Sequence, residues 1–330
     1  MGNGGWGIIG HDWAVRLLQR AVEEGSLSHA YLFTGPPGVG KGTLARALAR
    51  ALLCEAEADR PCGSCRACRL VEAGTHPDLH LVHPESATGR LTIGQVRELG
   101  RQLALTPSVG RHRVAILADF DRATPSAANA LLKTLEEPPA YVVLVLLAPD
   151  ADSLLPTIVS RCQVVPLRPL PLRLVREALE TRWGVEPERA DLLAHLCGGR
   201  LGWAVRAADD PALLRRRRQR LEDLSTLLRA SLVERFRYAA ALADDPAGTE
   251  EALEIWTGWW RDVMVVAAGT DAPLTNPDLT DRIRRQAQAL GVERAAALVK
   301  ATRKTMDLLR GNVNRRLALE VLLGFDLPRL

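Results

Sequence analysis

The chain of 330 residues is poor in aromatic side chains: four Phe, three Tyr and seven Trp, 4% in all. That scarcity argues against a stacking surface of the kind single-strand nucleic-acid binders use. Lysine is scarcer still, with only Lys41, Lys133, Lys300 and Lys304 among 43 basic residues, the rest being arginines. GC-rich codon usage produces such a bias, so most arginines carry no functional signal and the four lysines stand out. No apolar run approaches the ~18 residues needed to span a bilayer, and the N-terminus has no secretory pattern. A soluble, cytoplasmic protein without membrane contact is expected. Net charge is only +4, too small for the whole-molecule field to argue for tight nucleic-acid binding; any such contact needs a local patch.

What is present is apolar material. At 47% hydrophobic residues, the chain can bury real cores, and at roughly 150 residues per domain its length suggests about two folding units. The first half alternates short apolar runs with helix-period segments. Ala30 to Thr34, Leu79 to Val82, Arg113 to Ala118 and Tyr141 to Ala148 are expected strands. Trp13 to Glu24, Lys41 to Leu53, Thr92 to Ala104 and Pro125 to Glu137 are expected helices. Strands that are apolar throughout belong to a parallel sheet covered on both faces, so a three-layer α/β domain follows. Beyond Leu167, Pro169 and Pro171 mark a change, and the remainder reads as helix. About three short helices are expected in Leu172 to Arg206 and about five longer ones in Pro211 to Leu330.

Ala30 to Thr34 runs into Gly35-Pro36-Pro37-Gly38-Val39-Gly40-Lys41, and an amphipathic helix starts at once. This is the strand, glycine-rich loop and helix order of a P-loop. Glycines let successive N–H groups converge on phosphate oxygens, the helix N-terminus adds its dipole, and a lysine reaches the outer phosphates. Gly35, Gly38, Gly40, Lys41 and Thr43 are the candidate nucleotide-binding residues. The residue after Lys41 is Gly42, where the motif asks for a Mg²⁺-holding Ser or Thr. Thr43, one place on, points along a different face of the helix, so phosphate cradling is expected without assured metal coordination.

Cys54, Cys62, Cys65 and Cys68 follow the spacing C-x₇-C-x₂-C-x₂-C. Two consecutive C-x₂-C hooks with a fourth sulfur nearby suit tetrahedral thiolate binding of Zn²⁺. An iron–sulfur cluster is the competing reading. A four-sulfur site leaves no open coordination position, so a structural role is expected. Cys162 and Cys197 are isolated and read as small buried residues.

The order of Ile9-Gly10-His11, His29 to Gly35, the P-loop, the cysteines, Ala127-Ala128-Asn129-Ala130-Leu131-Leu132-Lys133-Thr134-Leu135-Glu136-Glu137-Pro138-Pro139 and Pro156-Thr157-Ile158-Val159-Ser160-Arg161-Cys162 resembles the AAA+ clamp-loader subunits of bacterial DNA polymerase III. The resemblance covers roughly the first 200 residues. The segment Asn312-Val313-Asn314-Arg315-Arg316-Leu317-Ala318-Leu319-Glu320 is more loosely similar to the family's collar. The resemblance implies an α/β P-loop AAA+ domain over 1–167 with a zinc-binding insertion at 54–68. An all-α lid over 168–208 and an all-α collar, the oligomerisation domain, over 209–330 would follow.

The family has an ATP-hydrolysing motor branch, gamma/tau, and a largely non-hydrolysing stator branch. Set against the motor pattern, Ala118 stands at the metal-binding Asp and Asp119 at the Glu that orients the attacking water. The next strand ends Leu147-Ala148-Pro149-Asp150, without the threonine that senses the γ-phosphate. The sensor arginine falls on Gly202. With Gly42, these departures remove groups that act on Mg²⁺ or the γ-phosphate, each worth ~3 kcal/mol or more in the transition state. ATP or ADP binding without hydrolysis remains open, and the chain's own ATPase is expected to be absent or very weak. Ser160-Arg161-Cys162 resembles the family's arginine-finger motif, which implies that Arg161 reaches nucleotide held by a neighbouring gamma/tau subunit. Partners implied are gamma/tau and delta subunits, with the sliding clamp and primed DNA reached through the complex. A motor ATPase of the same family is the alternative, and a zinc-dependent DNA-binding module is a third reading.

Three further expectations concern clusters. Glu136 and Glu137 are expected to be solvated or paired across a subunit boundary, without a catalytic role. Arg215 to Arg218 with Arg220 form the densest basic run, expected to be a solvated helix face rather than a contact for DNA or an acidic partner. Trp256, Trp259 and Trp260, with Ile255, Val263 and Val266 at helical spacing, are expected to pack in a core or collar.

Overall fold

A computed structural model describes residues 4–85, 89–311 and 313–329; Asn312 of the C-terminal motif lies outside them. The chain packs as two compact units, Met1–Leu174 with Gly199–Trp203, and Val175–Gly198 with Ala204–Leu330. The helices of the 168–208 segment are thus divided between them.

The first unit is built on a parallel sheet of β1 (Ala30–Thr34), β2 (Leu79–Val82), β3 (Arg113–Leu117), β4 (Val142–Ala148) and β5 (Gln163–Pro166), in the order β2-β3-β4-β1-β5. Leu32 of β1 stands opposite Leu146 of β4 on one side and Val164 of β5 on the other. Side chains alternate between faces along each strand. Tyr31, Phe33, Val114, Ile116, Val143 and Val145 pack with α1 (Asp12–Glu23) and α2 (Lys41–Leu53). Leu32, Ala115, Leu117, Leu144 and Leu146 pack with α4 (Ile93–Leu103) and α5 (Pro125–Glu136). Both faces are covered, which is why β4 is apolar end to end and β1 and β3 are apolar but for Thr34 and Arg113 at their ends. Two further helices are α3 (Arg66–Glu72), which starts after Cys65 and carries Cys68, and α6 (Pro156–Val159), which precedes β5. The edge strand β5 escapes a sequence reading because only Val165 of its four residues is buried.

Beyond β5 come α7 (Leu172–Trp183), α8 (Pro187–Leu196), α9 (Leu201–Asp209), α10 (Pro211–Leu227), α11 (Leu232–Ala243), α12 (Pro246–Ala267), α13 (Thr280–Arg310) and α14 (Arg315–Val321). Gly291 breaks α13 with φ 69° and ψ 173°. Trp256, Trp259 and Trp260 are each 1% exposed at the centre of the second unit's core, as their spacing predicts. No described helix is long and apolar enough to cross a membrane.

The basic run of α10 departs from the expected solvated face. Arg215 and Arg218 are exposed, but Arg216 pairs with Glu251, and Arg217 is buried. Arg217 donates to both Asp278 carboxylate oxygens, at 2.8 and 2.7 Å, and to Asn276 Oδ1. Asn276 in turn donates through N and Nδ2 to Asp262, which is fully buried on α12. This chain of bonds ties the segment before α13 to α10 and α12. Removing one member of a buried, paired network strands a charge, at a cost of about 3–5 kcal/mol. Arg217→Ala should therefore lower the stability of this unit by about that much in urea unfolding, whereas Arg218→Ala should change it by less than ~0.5 kcal/mol. Equal effects would mean that the network contributes nothing.

Candidate functional site

The P-loop leaves β1 through Gly35, Gly38 and Gly40, whose φ angles of 142°, 82° and 117° are accessible to glycine and strained for other residues. A Cβ on Gly35 would collide with Leu167 O. Lys41, at the start of α2, donates Nζ to Gly35 O and, at 3.2 Å, to Pro36 O. Burial pushes the Lys41 pKa below the ordinary lysine value, opposed by Asp119 and Asp121. The carboxylates of the turn after β3 are therefore near enough for their charge to act on the lysine. Burial raises the Asp121 carboxyl above the usual range. His11 Nε2, 3.0 Å from Val39 O, must carry the proton there, because a carbonyl only accepts.

The positions that depart from the motor pattern lie around this loop. Gly42 sits in the first turn of α2 with open space where a side chain would be, and Thr43 beside it is exposed. Ala118 follows β3, and its N–H donates to Val82 O. Pro149, beyond β4, accepts from Gly35 N at 2.9 Å. Gly202, in the first turn of α9, donates its N–H to Gly38 O at 2.8 Å, and a Cβ there would stand 3.0 Å from that oxygen. None of these four residues carries a side chain able to hold a metal or donate to a phosphate.

The four cysteines converge, with all Sγ atoms within 4.8 Å of one another. Cys54 and Cys65 Sγ are 3.9 Å apart, close to the about 3.8 Å edge of a tetrahedron built on Zn–S bonds of about 2.3 Å. Backbone donors point at the sulfurs: Cys62 N to Cys54 Sγ, Cys65 N to Cys62 Sγ and Cys68 N to Cys65 Sγ, each at 3.4 Å. Donors of this kind favour thiolates. Bonds from the Cys65 and Ser64 backbones hold the Cys62 thiol down to about 6, while burial pushes Cys68 up. The cluster is anchored to the sheet domain: Trp6 Nε1 donates to Arg60 O at 3.1 Å, and Arg50 reaches both Trp6 O and Glu72. The donor set fits a four-thiolate metal site.

Arg161 lies just past α6. Its Nη1 donates to Thr157 O at 2.9 Å, and its Nη2 is 2.9 Å from Glu136 Oε1. Glu136 closes α5, so the motifs ending at Pro139 and Cys162 meet at the surface through this pair. Glu136 is accordingly paired within the subunit. The sequence placed the two motifs in order but gave no sign of their contact. Cys162 is partly buried, and burial pushes its thiol up to about 12; Cys197 is fully buried.

Among known proteins, the family described as DNA polymerase III, delta subunit, matches residues 10–171, and its C-terminal counterpart matches 211–324. The delta-prime subunit of DNA polymerase III from Bacillus subtilis is 30% identical over 308 residues, 91% of each chain. That from Pseudomonas aeruginosa is 41% identical over 160 residues, 48% of this chain and 49% of the relative. The tau subunit of DNA polymerase III from Escherichia coli is 35% identical over 208 residues, 61% of this chain and 32% of tau.

Proposed function

For a chain that belongs to the delta-prime family of DNA polymerase III clamp-loader subunits, we propose the role of a stator that completes a neighbour's ATP site and does not hydrolyse ATP itself. The observation that carries this reading is the set of Gly42, Ala118, Pro149 and Gly202 around a preserved glycine loop and Lys41. Hydrolysis needs Mg²⁺ held by side chains and a water oriented for in-line attack. Neither duty can be met at those positions, and the Asp119 carboxylate is one methylene short of the Glu it replaces.

Arg161 supplies what the chain's own pocket lacks, to another subunit. In a ring of gamma/tau and delta partners it would donate to the oxygens of the transferring phosphoryl group in an adjacent gamma/tau site. A guanidinium offers parallel donors and stays charged at any working pH, so lysine is a poor substitute. Turnover at that site would drive loading of the sliding clamp onto primed DNA, and the work would take place in the cytoplasm. The loop of Gly35, Gly38, Gly40, Lys41 and Thr43 would cradle ADP or ATP without carrying it further. Cys54, Cys62, Cys65 and Cys68 would hold Zn²⁺, which supplies a cross-link and charge neutralisation for four thiolates. The lid over 168–208 and the collar over 209–330 complete the proposed organisation.

The purified chain mixed with Mg²⁺ and ATP should release phosphate at buffer background, and Lys41→Ala should leave that rate unchanged. Turnover that Lys41→Ala abolishes would make the chain a motor and overturn the proposal.

A further inference from the structure

An ion pair links Glu136 to Arg161, the residue proposed to act in trans. It joins the end of α5 to the residue beyond α6, with side chains 51% and 35% exposed. Exposed pairs contribute little to stability, and the fold does not need this one. The two elements already pack through Leu131, Leu135 and Ile158, which are all buried. What the pair does fix is the direction of a side chain that otherwise has great rotamer freedom. Thr157 O takes one N–H of the guanidinium, and Glu136 Oε1 stands 2.9 Å from Nη2 as an ion-pair contact. Four of its five donors are left for another acceptor.

We infer that Glu136 is a positioning residue for Arg161. It holds the guanidinium at the surface in one orientation, so that the remaining donors meet a phosphoryl group on the neighbouring subunit without a search. The inference rests on the proposed role of Arg161 in trans. Prior orientation lowers the barrier of a step that would otherwise have to order the side chain. The adjacent Glu137 is also exposed, and no ion pair to it is found among the described residues, which makes it the matched control for charge.

The test uses the reconstituted clamp-loader complex. Glu136→Ala should lower DNA-stimulated kcat by about 3- to 10-fold, with KM for ATP and assembly unchanged. Glu136→Gln keeps an acceptor oxygen but loses the charge of the ion pair, and should recover only part of the loss, while Glu137→Ala should be silent. In an Arg161→Ala background, Glu136→Ala should add nothing. A rise in turnover would mean that the carboxylate sequesters the guanidinium, and it would overturn the inference. So would an equal loss in the Arg161→Ala background, or a silent Glu136→Ala beside an active Arg161→Ala phenotype. If Arg161→Ala itself has no effect, the role in trans falls and the inference with it.

Discussion

Arg161→Ala, in a reconstituted clamp loader, is expected to cut ATP turnover at the one site this subunit completes by about 10³-fold, the scale on which an arginine in trans stabilises phosphoryl transfer. Total DNA-stimulated ATPase should fall by that site's share, and clamp loading should fall with it. Single-turnover phosphate release separates the affected site from the others. The loss should lie in chemistry rather than in the fold. The only ion pair removed among the described residues is the exposed one to Glu136, worth about 0–1 kcal/mol, so thermal unfolding of the isolated subunit should scarcely move. Arg161→Lys keeps the charge and loses the planar fork, and should recover only a small part of the rate. Unaltered turnover in Arg161→Ala would refute the assignment.

The second large effect concerns the cysteines. The purified chain should carry one zinc per molecule by elemental analysis, and Cys62→Ser or Cys68→Ser should abolish stoichiometric retention. Losing one of four thiolates should weaken binding beyond the roughly 10- to 100-fold that disturbing a ligand's supporting shell costs. Without metal, four sulfurs within 4.8 Å of one another lose the ion that holds them, and metal affinity at such sites is folding free energy. Amide exchange should then rise across residues 54–72 while the strands of the sheet stay protected, because β1, β3 and β4 are buried independently of the insertion. Iron and visible charge-transfer bands in place of zinc would select the competing iron–sulfur reading.

Four of the five strands, with α1, α2, α4 and α5, were legible because each is specified locally; the short helix Arg66–Glu72 was not. A strand covered on both faces is apolar at nearly every residue, and Val142–Ala148, buried at all seven positions, can hardly be read otherwise. The P-loop and the cysteine hooks are equally local, since each places its donors within one turn or one short loop. The strand Gln163–Pro166 was not legible, because an edge strand with one buried side chain leaves no pattern. Nor was the fate of Arg217. Its neighbours in sequence are exposed, and nothing in a run of arginines says which one will meet Asn276 and Asp278 across the core.

From the sequence alone came the class of fold, the glycine-rich loop, the four-cysteine set and the lack of metal- or phosphate-binding side chains at Gly42, Ala118, Pro149 and Gly202, since these depend on which residue types occur and how closely they are spaced. Tertiary structure decided the rest. It brought Gly202 onto Gly38 and set Asp119 and Asp121 near enough to Lys41 for their charge to act on it. It also set Glu136 against Arg161. Such partners lie on different elements, and their meeting is fixed by how helices pack on a twisted sheet, a property of the whole fold that no short stretch of chain encodes.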